Sequence, residues 1–114
     1  MALIYKIVSR QAWQDAVSEG VFNGAPVDLA DGFIHFSTAE QVMETAARHF
    51  AGQTGLMLVE VPADALGDAL KWEPSRGGDL FPHLYAALET RLAVKATPLP
   101  IDDSGRHDFT GLLP

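Results

Sequence analysis

The sequence predicts an α+β fold: one compact domain with a mixed or antiparallel sheet of about five or six strands and two N-terminal helices. Three observations predict it. Strand-like segments dominate the second half, which rules out a regularly alternating parallel sheet. Both strong helical stripes fall in the first half. The chain has 114 residues, 47% of them hydrophobic, which suits one domain spanning residues 1–114, and no linker, repeat or low-complexity segment divides it. The order β-α-β-α-β leaves room for one parallel pairing.

Residues 2–8 are rich in β-branched and aromatic side chains and read as the opening strand. Ser9 suits a helix N-cap, Trp13, Ala16 and Val17 make one buried stripe, and Gly20 suits the C′ position. Residues 21–31, with Gly24 and Pro26, read as a loop. Residues 32–36 form a short strand whose alternation sets Ile34 and Phe36 on one face and Phe33 and His35 on the other. Ser37-Thr38-Ala39-Glu40 fits a capping box, and the helix it opens carries Val42, Met43, Ala46, Ala47 and Phe50. Gly52 and Gly55 break the chain before a strong strand at 56–61, closed by Pro62. A turn follows at 63–67, a further strand at 69–72 and a mobile Gly-rich loop at 74–79. Residues 81–85 are extended, and Pro82 confines them to an edge or a strand start. Residues 91–97 alternate with Leu92, Val94 and Ala96 inward, until Pro98 and Pro100 stop the strand. Residues 101–114 read as a C-terminal tail.

Lys and Arg number 8 against 15 Asp and Glu, a formal net charge of -7. Phosphate backbones repel such a chain and no Lys/Arg run offsets this, so no broad nucleic-acid surface is expected. One small anionic ligand in a local cluster remains compatible. The lack of cysteine removes disulfides, zinc–thiolate sites and thiol nucleophiles. The opening residues lack a signal peptide's basic region, and no apolar run approaches the roughly 20 residues of a membrane span. A cytoplasmic protein with no membrane partner is expected.

Two segments carry the candidate chemistry. In Asp31-Gly32-Phe33-Ile34-His35-Phe36-Ser37-Thr38, His35 and Ser37 project to one side where a strand meets a helix N-terminus. An imidazole, a hydroxyl and free N–H groups there suit a ribose, a phosphate or a carboxamide. The plainer reading makes Ser37 a helix cap and His35 a half-buried strand residue. In Phe81-Pro82-His83-Leu84-Tyr85, His83 and Tyr85 share one face, suited to stacking on a flat ring and hydrogen bonding to it. The plainer reading is an aromatic edge strand over the core. A third group is Glu73, a general base or ribose-hydroxyl ligand, with Arg76 as a phosphate ligand; both also read as solvated loop charges. The four histidines lack metal-ligand spacing, although His35, His83 and Asp31 could meet in space. Ser37 lacks the G-x-S-x-G elbow of a hydrolase.

The pair Gly32-Phe33-Ile34-His35-Phe36-Ser37-Thr38 and Phe81-Pro82-His83-Leu84-Tyr85 resembles the bacterial family called domain of unknown function 952, from the strand at Ile4-Tyr5-Lys6-Ile7 to about Pro98. That family in turn looks like a compact relative of ADP-ribosyltransferases. The resemblance implies that His35 and Ser37 grip a nicotinamide ribose and carboxamide, that Tyr85 or His83 stacks on the ring, and that an acid, Glu73 or Glu89, supports an oxocarbenium-like transition state. Phe36 stands where those enzymes usually have Gly.

The expectation that follows is a small ADP-ribosyltransferase-like enzyme cleaving or binding NAD or a related ADP-ribosyl or nucleotide ligand, with NAD as substrate and no firm cofactor. His35, Glu73, His83 and Tyr85 are its catalytic candidates, and Asp31, Ser37, Thr38 and Arg76 its ligand-binding ones. The alternatives are a non-catalytic module for a nucleotide or small metabolite, and a small hydrolase or metal enzyme.

Overall fold

The computed structural model describes residues 2–114, and of Arg76 it describes the main chain but not the side chain. Among the described residues the order is β1 (Leu3–Ser9), α1 (Arg10–Glu19), β2 (Val21–Phe22), α2 (Pro26–Asp31), β3 (Ile34–His35), α3 (Val42–His49), β4 (Leu56–Pro62), β5 (Leu70–Ser75), β6 (Asp79–Leu84), β7 (Leu88–Glu89) and β8 (Lys95–Leu99). Turns of 3-10 type lie at Ala63–Ala69, Arg76–Gly78 and Thr90–Leu92. All the pairings are antiparallel, in the orders β1-β4-β8, β2-β7 and β3-β6-β5. The α+β class therefore holds, with three α-helices and eight strands among the described residues in place of the expected two and five or six.

β1 and β4 are apolar on both faces because they lie between two cores. Ile4, Val8, Val59 and Val61 meet Trp13, Phe22, Ile34, Phe36, Leu84 and Leu88 on one side. Tyr5, Ile7, Leu56 and Leu58 meet Val42, Ala46, Leu99 and Phe109 on the other. A strand covered on both faces reads as a near-continuous apolar run, broken in β1 by the buried Lys6 and in β4 by the buried Glu60.

The ends of α1 are as expected. Ser9 Oγ accepts from the Ala12 N–H at 3.1 Å, and Gly20 closes the helix at φ 86°. Its buried stripe is narrower, since Trp13 and Ala16 are buried but Val17 is 54% exposed. Residues 21–31 are not a loop. Val21 and Phe22 pair with β7, and Pro26 starts α2, where its missing N–H costs nothing.

The expected capping box is displaced. Ser37 exchanges both backbone hydrogen bonds with Tyr5, at 2.9 and 2.7 Å, so it belongs to a ladder and cannot start a helix. The turn into α3 begins one residue later, where the Thr38 N–H donates to Gln41 Oε1 at 3.0 Å and the Thr38 carbonyl accepts from Val42. Val42 and Ala46 are buried, while Met43 and Ala47 face out because the sheet covers only one line of the helix.

Residues 74–79 form a tight hairpin, with Ser75 opposite Asp79. Gly77 and Gly78, at φ 69° and 88°, supply backbone that other residues rarely adopt. Pro82 is not on an edge, since β6 is the central strand of its sheet. It is tolerated because its carbonyl accepts from the Phe36 N–H at 3.0 Å. Its donor-less nitrogen therefore faces the same side, just beyond the end of β3. β8 starts at Lys95 and includes Pro98, which suits an outer strand; Val94, expected inward, is 59% exposed.

Residues 101–114 are no free tail. Ile101 bridges to His107, His107 Nε2 lies 2.8 Å from the Gln53 carbonyl oxygen, and Phe109 is 8% exposed. No helix among the described residues is long and apolar enough to cross a membrane. Phe109→Ala is expected to lower unfolding free energy by about 3 kcal/mol in urea denaturation; a loss below about 1 kcal/mol would show that the segment is dispensable.

Candidate functional site

The site is built where two sheets part. Tyr5 and Ser37 tie β1 to the start of the chain leaving β3. In an antiparallel ladder the next pair would be Ile7 with His35. That pair does not form. The His35 N–H donates instead to Asp28 Oδ1 at 3.1 Å. The strands diverge, and a cleft of about 750 Å³ runs along the edge of β1.

Asp28 holds the gap. It is 2% exposed. Its Oδ1 accepts from Lys6 Nζ at 2.9 Å and lies 2.7 Å from His35 Nδ1, and its Oδ2 accepts from the Ala25 N–H at 2.7 Å. Burial pushes its carboxyl up, but hydrogen bonds from His35, Ala25 and Lys6 and the Lys6 charge outweigh this and hold it at about 2. Burial pulls the Lys6 ammonium down, and Asp28 opposes that. Neither Asp28 nor Lys6 was singled out from the sequence. The readable signal was Pro26-x-Asp28: Pro at the first helical position, then an acid two residues on that can reach back to the cap N–H.

His35 is held from both ends, since Nε2 lies 2.9 Å from Asp31 Oδ2. Both ring nitrogens thus face carboxylates. Across the β3–β6 pair His35 stands opposite His83, with ring centroids 5.6 Å apart. His83 Nδ1 lies 2.8 Å from Glu73 Oε1, and Phe33 stacks on its ring at 4.1 Å and 28°. The carboxylate thus takes Nδ1, and Nε2 is the ring nitrogen turned away from it. Tyr85 OH donates to the same Glu73 oxygen at 2.7 Å. That bond, with the bond from His83 next, holds Glu73 below the usual carboxylate range and pushes the Tyr85 phenol up.

Phe33, His35, His83 and Tyr85 therefore share one sheet face, as the period of two requires. Asp31, His35, Ser37 and His83 line the cleft. Glu73 and Tyr85 stand behind His83, outside the cleft wall. Thr38 begins the turn into α3 and is also outside it. Ser37 Oγ is 2.8 Å from Thr45 Oγ1. The Arg76 side chain lies outside the described residues. Glu89, the other acid considered, lies on β7 and pairs with Arg91 at 3.1 Å, so of the two it is Glu73 that meets a site histidine, His83. Lys71, opposite His83 on β5, was not singled out although it shares that face. No group of three or more His, Asp or Glu among the described residues is arranged to hold a metal.

The family model described as "Protein of unknown function (DUF952)" matches residues 7–96. The crystal structure of protein CC0527 from Caulobacter crescentus is similar at TM-score 0.92 and 50% identity, covering 96% of each chain. The solution NMR structure of CC0527 gives TM-score 0.89 at 50% identity, covering 99% of this chain and 97% of that one. No curated protein matches the chain.

Asp28→Ala removes the counter-charge of Lys6 and is expected to cost about 3 kcal/mol or more in chemical denaturation. The folded carboxyl lies below its ordinary 3.8, so ionisation favours the folded state. That contribution, about 2 kcal/mol, is complete above about pH 4 and is lost as pH falls toward 2. An equal acid sensitivity in the variant between pH 4 and 2 would refute this.

Proposed function

The chain belongs to the DUF952 family, and from that premise we propose that its cleft takes an ADP-ribosyl or related nucleotide ligand in an ADP-ribosyltransferase-like arrangement. The observation that carries the reading is the convergence of His35, Ser37 and His83 on one open cleft from two separate strands. The Ser37 hydroxyl, His83 Nε2 and, once it exchanges the exposed Asp31 for a ligand hydroxyl, His35 Nε2 would offer hydrogen bonds to a ribose, and the Phe33–His83 stack offers a flat rim to a ring. His35 would orient the ribose and Ser37 would support the ring. His83 Nε2 would take a proton from a ligand hydroxyl or water, with Glu73 stabilising the resulting imidazolium. Glu73 would then act through His83 as a positioning residue.

One observation favours binding without turnover. Glu73 Oε1 already meets both His83 and Tyr85, so it is not free to face an anomeric carbon.

Calorimetric titration with NAD, ADP-ribose and nicotinamide is expected to give saturable heat with at least one of them. His35→Ala and His83→Ala should each weaken binding about tenfold. No heat at millimolar ligand would sink the reading. Release of nicotinamide from NAD, followed by chromatography, separates an enzyme from a binding module.

A further inference from the structure

We propose that the outer edge of β5 at Trp72 binds an extended peptide segment that carries an arginine. The site lies outside the cleft and stands whether or not the cleft takes a nucleotide.

β5 is the last strand of its sheet, so one of its edges pairs with no strand. Which residues face that edge follows from β6. The Pro82 carbonyl accepts from the Phe36 N–H, so Pro82 turns toward β3. Trp72, opposite it, turns its own N–H and C=O outward. Leu70 and Pro74 turn the same way, while Lys71 and Glu73 turn into β6. The outward groups are unequal in kind. Trp72 brings an N–H and a C=O, and neither has a hydrogen-bond partner among the described residues. Leu70 gives its N–H to the Gly67 carbonyl and brings only its C=O. Pro74 has a carbonyl and no N–H.

The edge therefore shows three acceptors to one donor. A second copy of the same edge would set acceptors against acceptors, so it is a poor mate. A peptide laid antiparallel along it gives three N–H groups from alternate residues and takes one in return.

The side chains name the partner's chemistry. Trp72 and Leu80 are 43% and 52% exposed, and they stand with Pro74 on one face of the β5–β6 pair. Trp72 also lines a hollow of about 480 Å³ with Leu70, Gly67 and Asp64. Asp64 is exposed and has no ion-pair partner among the described residues. A peptide residue opposite Trp72 puts its side chain on this same face. A guanidinium there stacks on the indole and donates to Asp64. Arginine carries five donors and no acceptor, which suits an edge with acceptors in excess. The net charge of -7 draws a basic segment toward the chain.

The test is an NMR titration of the full isotopically labelled chain with a capped five-residue peptide, threonine-valine-arginine-valine-threonine. Three controls accompany it: the peptide with glutamate in place of arginine, the arginine peptide N-methylated at its arginine, and guanidinium chloride. The arginine peptide is expected to move the Trp72 main-chain and indole N–H signals more than the N–H signals of Lys71 and Glu73. The glutamate and N-methyl peptides should each bind about tenfold more weakly. Asp64→Asn should weaken the arginine peptide about threefold, and Trp72→Ala should abolish the shift at Leu70 while leaving the His35 and His83 signals in place. A Trp72 main-chain signal unmoved at millimolar arginine peptide, or equal binding of the glutamate peptide, overturns the proposal. Guanidinium chloride that reproduces the peptide's shifts overturns it too, since a bare cation would then suffice. Shifts at Trp72 that grow with protein concentration alone would show a second copy on the edge and would equally overturn it.

Discussion

One buried carboxylate keeps the two main sheets apart. Asp28 gathers Lys6 Nζ, the Ala25 N–H, the His35 N–H and His35 Nδ1 in the gap where β1 and β3 would otherwise zip together. An isolated charge in such a place would cost several kcal/mol. Four contacts, one of them from the Lys6 ammonium, offset that cost, and the geometry is specific. No apolar side chain could replace it, because the His35 N–H and the Lys6 ammonium would then be buried without partners. The same contacts aim the His35 ring, so the opening of the sheet and the posture of its histidine have one cause.

A second carboxylate repeats the scheme on a smaller scale. Glu73 holds His83 from behind and is itself tied by Tyr85. Phe33 packs against His35, His83 and Tyr85. His35, His83 and Tyr85 are thus each held by a hydrogen bond and by the Phe33 face. Strand geometry sets which side the rings occupy, and the acids set how they are turned.

Sequence legibility divides along the same line. Alternation was enough to put Phe33 with His35 and His83 with Tyr85, each pair on one face of its own segment, and the β3–β6 pairing joins the two. The strands at both ends of the β1–β4 pair were legible from their apolar runs. What escaped depends on contacts far apart in the chain. The Asp28–Lys6 pair spans 22 residues. Ser37 looked like a cap because S-x-x-E is a local pattern, and a long-range ladder with Tyr5 overrode it. Pro82 looked like an edge residue because the pattern does not show which side of its strand ends early. Phe109 looked like part of a tail because only the second core, assembled from β1, α3, β4 and β8, gives it a seat.

The two rims of the β1-β4-β8 sheet are treated differently, and this bears on how the chain avoids sticking to itself. The outer rim, β8, carries Pro98, which lacks an N–H, and Lys95, a charge that discourages a flush neighbour. The inner rim needs no such blunting. At Ile7 it is only 4% exposed, set between the Tyr5–Ser37 pair and the start of α1 and out of reach of another molecule's strand. A rim usually hazardous to solubility is thereby closed to aggregation by its place in the fold.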